Sequence, residues 1–165
     1  MSFRFLKCRI DFRQLRIILP VMKMKNSKEL LSSILKTTQM GQLGIRSALE
    51  TEIKPELRQA MQSQLREYDT IERQAHSMAK ERNWVLPELN HSIRFMTDRM
   101  TKLKLSYGDV DSKIAAMMIR GNTSGTIKGL KNLHQYQEQD EAIRTLSKKL
   151  LETERSNVDQ MKPFL

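Results

Sequence analysis

A chain of 165 residues has room for one ordinary domain, and 39% apolar with 29% charged residues suits a helical protein that folds in water. One cysteine, Cys8, excludes an internal disulfide framework and a cysteine-based zinc site within one chain, and no run of about 18 apolar residues is present to form a transmembrane helix. The net charge of +10 raises nucleic acid as a partner, but residues 1–25 alone carry +6, from seven Lys or Arg against Asp11, and the rest of the chain only +4.

Few β-branched or aromatic runs occur, and 6 Gly with 4 Pro punctuate the chain sparsely, which favours a few long helices over a sheet. Residues 1–25 read as a poorly ordered basic tail. Their apolar run, Leu15 to Met22, is interrupted by Arg16 and Pro20 and lacks the long core and small-residue cleavage site of a secretory signal. A basic membrane-surface segment is one alternative. Another is that translation begins at Met22 or Met24, the residues before it coming from an over-extended gene reading. The folded domain is expected over 26–165.

The first helix should begin at Asn26 or Ser27, because Asn26 followed by Glu29 is a capping box. Leu31, Ile34, Leu35, Thr38, Gly41/Gln42, Ile45, Ala48 and Leu49 follow at the 3–4 spacing of a buried face. Its centre is small and polar, at Thr38, Gly41 and Gln42. Glycine in a helix interior costs up to about 1 kcal/mol against alanine, so Gly41 and Gly44 predict the close approach of another helix. A bend at Glu52-Ile53-Lys54-Pro55 leads into a second helix from Pro55 to about Arg82, with Pro55 suited to the first helical position. Trp84, just past its end, is placed to cover the tip of a bundle.

Residues 85–107 form a connector, in which Ile93, Met96, Met100 and Leu103 predict a shorter amphipathic helix over about 88–105. The next helix begins near Asp109–Asp111. Its first half presents Ile114, Met117, Met118 and Gly121, and its second half Ile127, Leu130, Leu133 and His134. Those sets do not share one helical face, which predicts a kink, a local widening or a full break across Gly121–Gly125. The last helix runs from about Gln139 to Met161, with Ile143, Leu146, Leu150, Thr153/Glu154, Asn157 and Met161 inward. The halves of the chain echo each other at an offset of about 84–86 residues: Thr38-Gln39-Met40-Gly41 and Leu57-Arg58 return as Asn122-Thr123-Ser124-Gly125 and Ile143-Arg144.

The Gln/Gly-bearing first helix, the Lys54-Pro55-Glu56-Leu57-Arg58 bend, the stretch Gln64-Leu65-Arg66-Glu67-Tyr68-Asp69-Thr70-Ile71-Glu72 and Asn83-Trp84 after the helix form a pattern over about 27–161. It resembles the spore coat protein F family and uncharacterised relatives from Firmicutes. That resemblance implies an all-α, ferritin-like up-down four-helix bundle with a long crossover containing an extra helix. It says little about activity, although some members of that group are structural layer proteins.

A ferritin-like di-metal centre takes a Glu from each of two helices and Glu-x-x-His from each of the other two. The first helix offers Gln39 and Gln42 instead, and the last offers Glu152, Glu154 and Asp159 but no His. Glu72 and His76 stand four apart and could share one metal ion, while Glu88-Leu89-Asn90-His91 falls in the connector and reads as coincidence. The candidate metal ligands are Glu72, His76 and Glu154, with Glu67 and Glu152 behind them, and iron or manganese the metal. No catalytic residue stands out. Gly121-x-x-x-Gly125 lacks the Lys-Ser/Thr of a phosphate loop, and the methionines on the helical stripes read as core filling. Lys102/Lys104, Lys128/Lys131 and Lys148/Lys149 read as solvated faces interleaved with acids. The reading that results is a non-enzymatic structural or interaction bundle, cytoplasmic or spore-associated, with Thr38, Gln42 and Asn122 as interior polar residues. A homodimer or another protein partner is expected, rather than a membrane or nucleic acid. The alternative is a ferritin-like di-metal carboxylate protein, an oxidase or a metal store.

Overall fold

Residues 25–87, 89, 108–138 and 140–165 are described by a computed structural model. Each of its four helices begins where a short polar side chain or a proline can satisfy the first turn. Helix α1 (Ser27–Leu49) carries the complete capping box: the Asn26 side-chain oxygen accepts the Glu29 N–H at 2.8 Å, and the Glu29 carboxylate accepts the Asn26 N–H at 3.2 Å. Helix α2 (Pro55–Glu81) opens on Pro55. Asp109 caps α3 (Val110–Gln135), and Asp140 caps α4 (Glu141–Met161) by accepting the Ile143 N–H at 3.3 Å. That cap places the start of α4 two residues after Gln139. A 3-10 turn over Lys162–Phe164 follows. The basic tail before Lys25 and the extra connector helix lie outside the described residues.

The four helices pack as a bundle, α1 chiefly against α2 and α3 chiefly against α4. Contacts across the bundle fix the helix directions. Lys25, ahead of α1, pairs with Tyr136, just past α3, and the Lys54 N–H after α1 reaches Asp111 at the start of α3 at 3.3 Å, so α1 and α3 are antiparallel. Arg82, past the end of α2, holds the α4 cap Asp140 at 2.8 Å, so α2 and α4 are antiparallel as well. The order is therefore up, down, down, up. The interior is built from Leu30, Ile45, Leu57, Met61, Ile71, Ile114, Ile143 and Met161, all fully enclosed. Enclosing each such aliphatic side chain is worth about 1.5–3 kcal/mol.

The two hairpins turn by the same device. Leu57 and Ile143 are fully buried, and each is followed by an arginine that reaches back over its bend. Arg58 donates to the carbonyls of Leu49 and Thr51 at 3.0 and 3.1 Å, supplying donors to the end of α1. Arg144 donates to the Glu138 carbonyl at 3.1 Å and lies over the Tyr136 ring. The Asn83-Trp84 pair also has a local cause. Asn83 takes the left-handed conformation at φ 53°, and the Trp84 and Asn83 N–H groups bond to the carbonyls of Ala79 and Lys80 at 2.9 and 3.1 Å, which closes α2 as a Schellman motif. Trp84 is half-buried and packs on the core.

Helix α3 is continuous across Gly121–Gly125, so the full break that the sequence allowed there does not occur. Its inner stripe in the second half runs through Asn122, Gly125, Gly129, Asn132 and on to Tyr136, residues that a count of apolar side chains passes over. Ile127 and Leu130 face outward instead, 51% and 45% exposed.

Candidate functional site

Midway along the bundle the core becomes polar. Tyr68 of α2 is 1% exposed, and its hydroxyl donates to the Asn122 side-chain oxygen on α3 at 2.8 Å. The same oxygen accepts the Asn157 amide from α4 at 3.4 Å, and the Asn122 amide donates to the Met118 carbonyl at 2.9 Å. Gln64 of α2 donates to the Asn157 carbonyl at 3.3 Å. The carboxyl group of Glu154, on α4, is 3% exposed and faces the Tyr68 hydroxyl.

Two glycines make room for this layer. A Cβ on Gly41 would lie 2.6 Å from the Tyr68 ring, and one on Gly125 would lie 2.6 Å from the Glu154 carboxyl carbon. Real Cβ contacts do not come so close, so both positions exclude every other residue unless the facing side chain moves. Gly41 is thus required by an aromatic ring rather than by the backbone of another helix.

Above Tyr68 and Glu154, α1 and α3 part to leave a cleft of about 550 Å³. Its α1 wall is Thr37, Met40, Gly41 and Gly44. Its α3 wall includes Met117, Gly121 and Ser124, with the cations Arg120 and Lys128. Volumes of this order are typical of small-molecule sites.

Burial pushes the Glu154 acid up to about 8, against the opposing pull of the Tyr68 hydroxyl and the Lys128 ammonium. It therefore carries its proton at neutral pH. Burial, and then the neighbouring Glu154 charge, raise the Tyr68 phenol well above its ordinary range, so it too stays neutral. The cleft thus combines an apolar wall, a floor of neutral hydrogen-bonding groups and a basic rim.

The candidate metal ligands lie in different settings. Glu72 sits on α2, and its two oxygens accept the Gln39 and Gln42 amides of α1 at 3.0 and 2.7 Å. Partial burial raises its acid, but those two amides and His76, 3.7 Å away, outweigh burial and hold it below the usual carboxylate range. His76 is largely exposed. Glu154 instead stands against Gly125 and Tyr68. Among the described residues no group of three or more His, Cys, Asp or Glu could hold a metal ion, and the amide donors on Glu72 occupy the positions a metal would take. Among the described residues, Glu72 and His76 do not converge with Glu154 on a di-metal centre. Glu67 and Glu152 are both exposed.

The interior polar residues Thr38, Gln42 and Asn122 are all buried. Gln42 bridges Asp69 and Glu72, and the Thr38 hydroxyl has no hydrogen-bond partner. Sequence reasoning did not single out Tyr68, Lys128, Met40 or Met117 as a set. A signal for the first was present: the 84-residue step that carries Gly41 to Gly125 comes within two residues of carrying Tyr68 to Glu154. No protein-family model, curated protein or solved structure matches this chain.

Proposed function

We propose that the chain is a non-enzymatic interaction bundle that works by holding a small, partly apolar molecule in the cleft between α1 and α3. The observation that carries this reading is the cleft itself, about 550 Å³ with glycine and methionine walls over the neutral Tyr68–Glu154 floor. The polar groups of that floor are bonded to one another, an arrangement suited to recognition. Gly121 gives a direct test, since it lines the cleft and a Cβ there would meet nothing within 4 Å. Gly121→Leu should fill the cleft and leave the fold intact. Ligand-observed NMR of a library of small neutral compounds should find binders of the wild type that no longer bind the variant. A library with no binders, or binders indifferent to the substitution, refutes this reading.

The up-down-down-up order of the helices, with α2 and α3 parallel, supports a ferritin-like assignment within the bundle class. The Arg58 bend and the Asn83-Trp84 ending support the resemblance to the spore coat protein F family. A cytoplasmic or spore-associated location belongs to the same proposal. No helix among the described residues is long and apolar enough to cross a membrane.

A second reading concerns partners. Ile127 and Leu130 stand three residues apart on the outer face of α3, which supports association with a second copy of the chain there. Sedimentation velocity should then show a dimer that survives high salt and is lost in Ile127→Glu/Leu130→Glu. A monomeric wild type excludes it.

A further inference from the structure

Beside the cleft lies a second pocket, of about 640 Å³, where the start of α1 meets the end of α3. Four lysines converge on it: Lys25, Lys28 and Lys36 from the α1 side and Lys128 from α3, with Ser32 and Gln135 between them. Among the described residues of the lining Glu29 is the one acid, and its carboxylate serves the α1 capping box. Lys28 and Lys128 are exposed, whereas Lys25 is tied in place. The Lys25 backbone N–H bonds to the Gln135 carbonyl at 3.0 Å, and its ammonium donates to the Asn132 side chain, which in turn donates to Ser33 of α1 at 2.7 Å. The two helices thus hold their cations across the pocket from each other.

We propose that this pocket is a binding site for a small polyvalent phosphate anion. Bringing like charges together costs free energy that a multiply charged anion recovers. The charges are ammonium groups, which bind phosphate as point charges. The pocket is an open recess of about 640 Å³, a size that suits a free polyphosphate. The strain of the arrangement registers at Lys128. Partial burial, and then the charges of Lys25 and Lys36, lower the proton affinity of its amine, while Glu154 opposes them. The site does not depend on the cleft being occupied, although Lys128 lines both.

Isothermal titration of the full chain with inorganic tripolyphosphate tests this. The wild type should bind, and Lys36→Ala/Lys128→Ala should weaken binding by about tenfold per lysine removed. Lys36→Gln/Lys128→Gln, which keeps much of the side-chain length, should show the same loss. Lys148→Ala/Lys149→Ala on α4 removes the same net charge away from the pocket and should leave binding within about twofold. No binding by the wild type overturns the proposal, and so does an equal loss in the pocket and control pairs. A duplex oligonucleotide that binds more tightly than tripolyphosphate and is weakened by the control pair would show a diffuse basic surface instead. Gly121→Leu, which blocks the cleft, should leave tripolyphosphate binding unchanged, so the two sites can fail separately.

Discussion

Gly125 leaves open on α3 the space that the carboxyl group of Glu154 fills from α4, and Gly41 does the same on α1 for the Tyr68 ring from α2. Each hairpin therefore pairs a glycine on its first helix with a large polar side chain on its second. This pairing separates the glycines by substitution. Gly41→Ala would force its methyl against a rigid ring and should destabilise the fold by about 1–3 kcal/mol despite the better helix propensity. Gly121→Ala has open space and should stabilise it by up to about 1 kcal/mol. Chemical denaturation of the two variants beside the wild type decides the matter. Similar changes in both would show that Tyr68 yields without cost.

The raised pKa of Glu154 has a signed consequence. Below about pH 4.5 folded and unfolded chains both keep the proton. Above it the unfolded chain ionises while the folded protein holds its proton up to about pH 8. The folded state binds more protons across that window, so stability falls with rising pH there, by at most about 1.4 kcal/mol per pH unit, and levels off above it. Glu154→Gln should match the wild type near pH 5 and exceed it near pH 8.5. Urea melts at both pH values that show parallel losses for the two proteins would exclude Glu154 as the cause. Glu72, whose acid is lowered, acts in a separate window and contributes stability that is lost on acidification.

Asp140 performs two tasks, capping α4 and accepting Arg82 at 2.8 and 3.1 Å. Asp140→Asn keeps a capping oxygen and loses the charge, whereas Asp140→Ala loses both. The alanine variant should cost about 1 kcal/mol more than the asparagine variant, the worth of a cap. In a double-mutant cycle, the asparagine substitution should couple to Arg82→Ala. A coupling of zero would mean that the partly exposed pair contributes nothing, as many surface pairs do.

At the first bend, Arg58→Ala removes the donors to the Leu49 and Thr51 carbonyls and should cost about 1–3 kcal/mol. Arg58→Lys supplies one ammonium in place of two forked donors and should recover only part of that loss. Full recovery by lysine would show that charge near the α1 terminus, rather than the paired bonds, is what matters.

Much of this architecture was legible in the chain because its causes are local. Asn26 with Glu29, Pro55 and Asp109 mark helix starts through groups only a few residues apart, and the α4 stripe from Ile143 to Met161 is a regular apolar face. Helix α3 misled because its inner stripe is small and polar. Gly125 faces Glu154, and a Cβ on Gly129 would meet Leu151 at 3.2 Å, so side chains from α4 fill space that apolar residues on α3 would otherwise occupy. The cleft was not legible at all. It depends on the separation of α1 and α3, which no spacing within either helix encodes. Lys128 is exposed, as its place on a polar stripe implies, but its company was hidden for the same reason, since Lys25 and Lys36 lie far from it along the chain.

Apolar helix faces resemble smooth rails, and a bundle held by them alone has several alignments of similar energy, one turn or about 5.4 Å apart. The bond from Tyr68 to Asn122, with Asn157 on the same oxygen, acts as a detent on those rails. Sliding α3 along α2 by one turn would strand a phenol and two amides in the interior, at a cost of about 1–3 kcal/mol for each group left unpaired. The polar layer thus makes one alignment of the two hairpins discrete, and it does so at the depth where the cleft takes its shape.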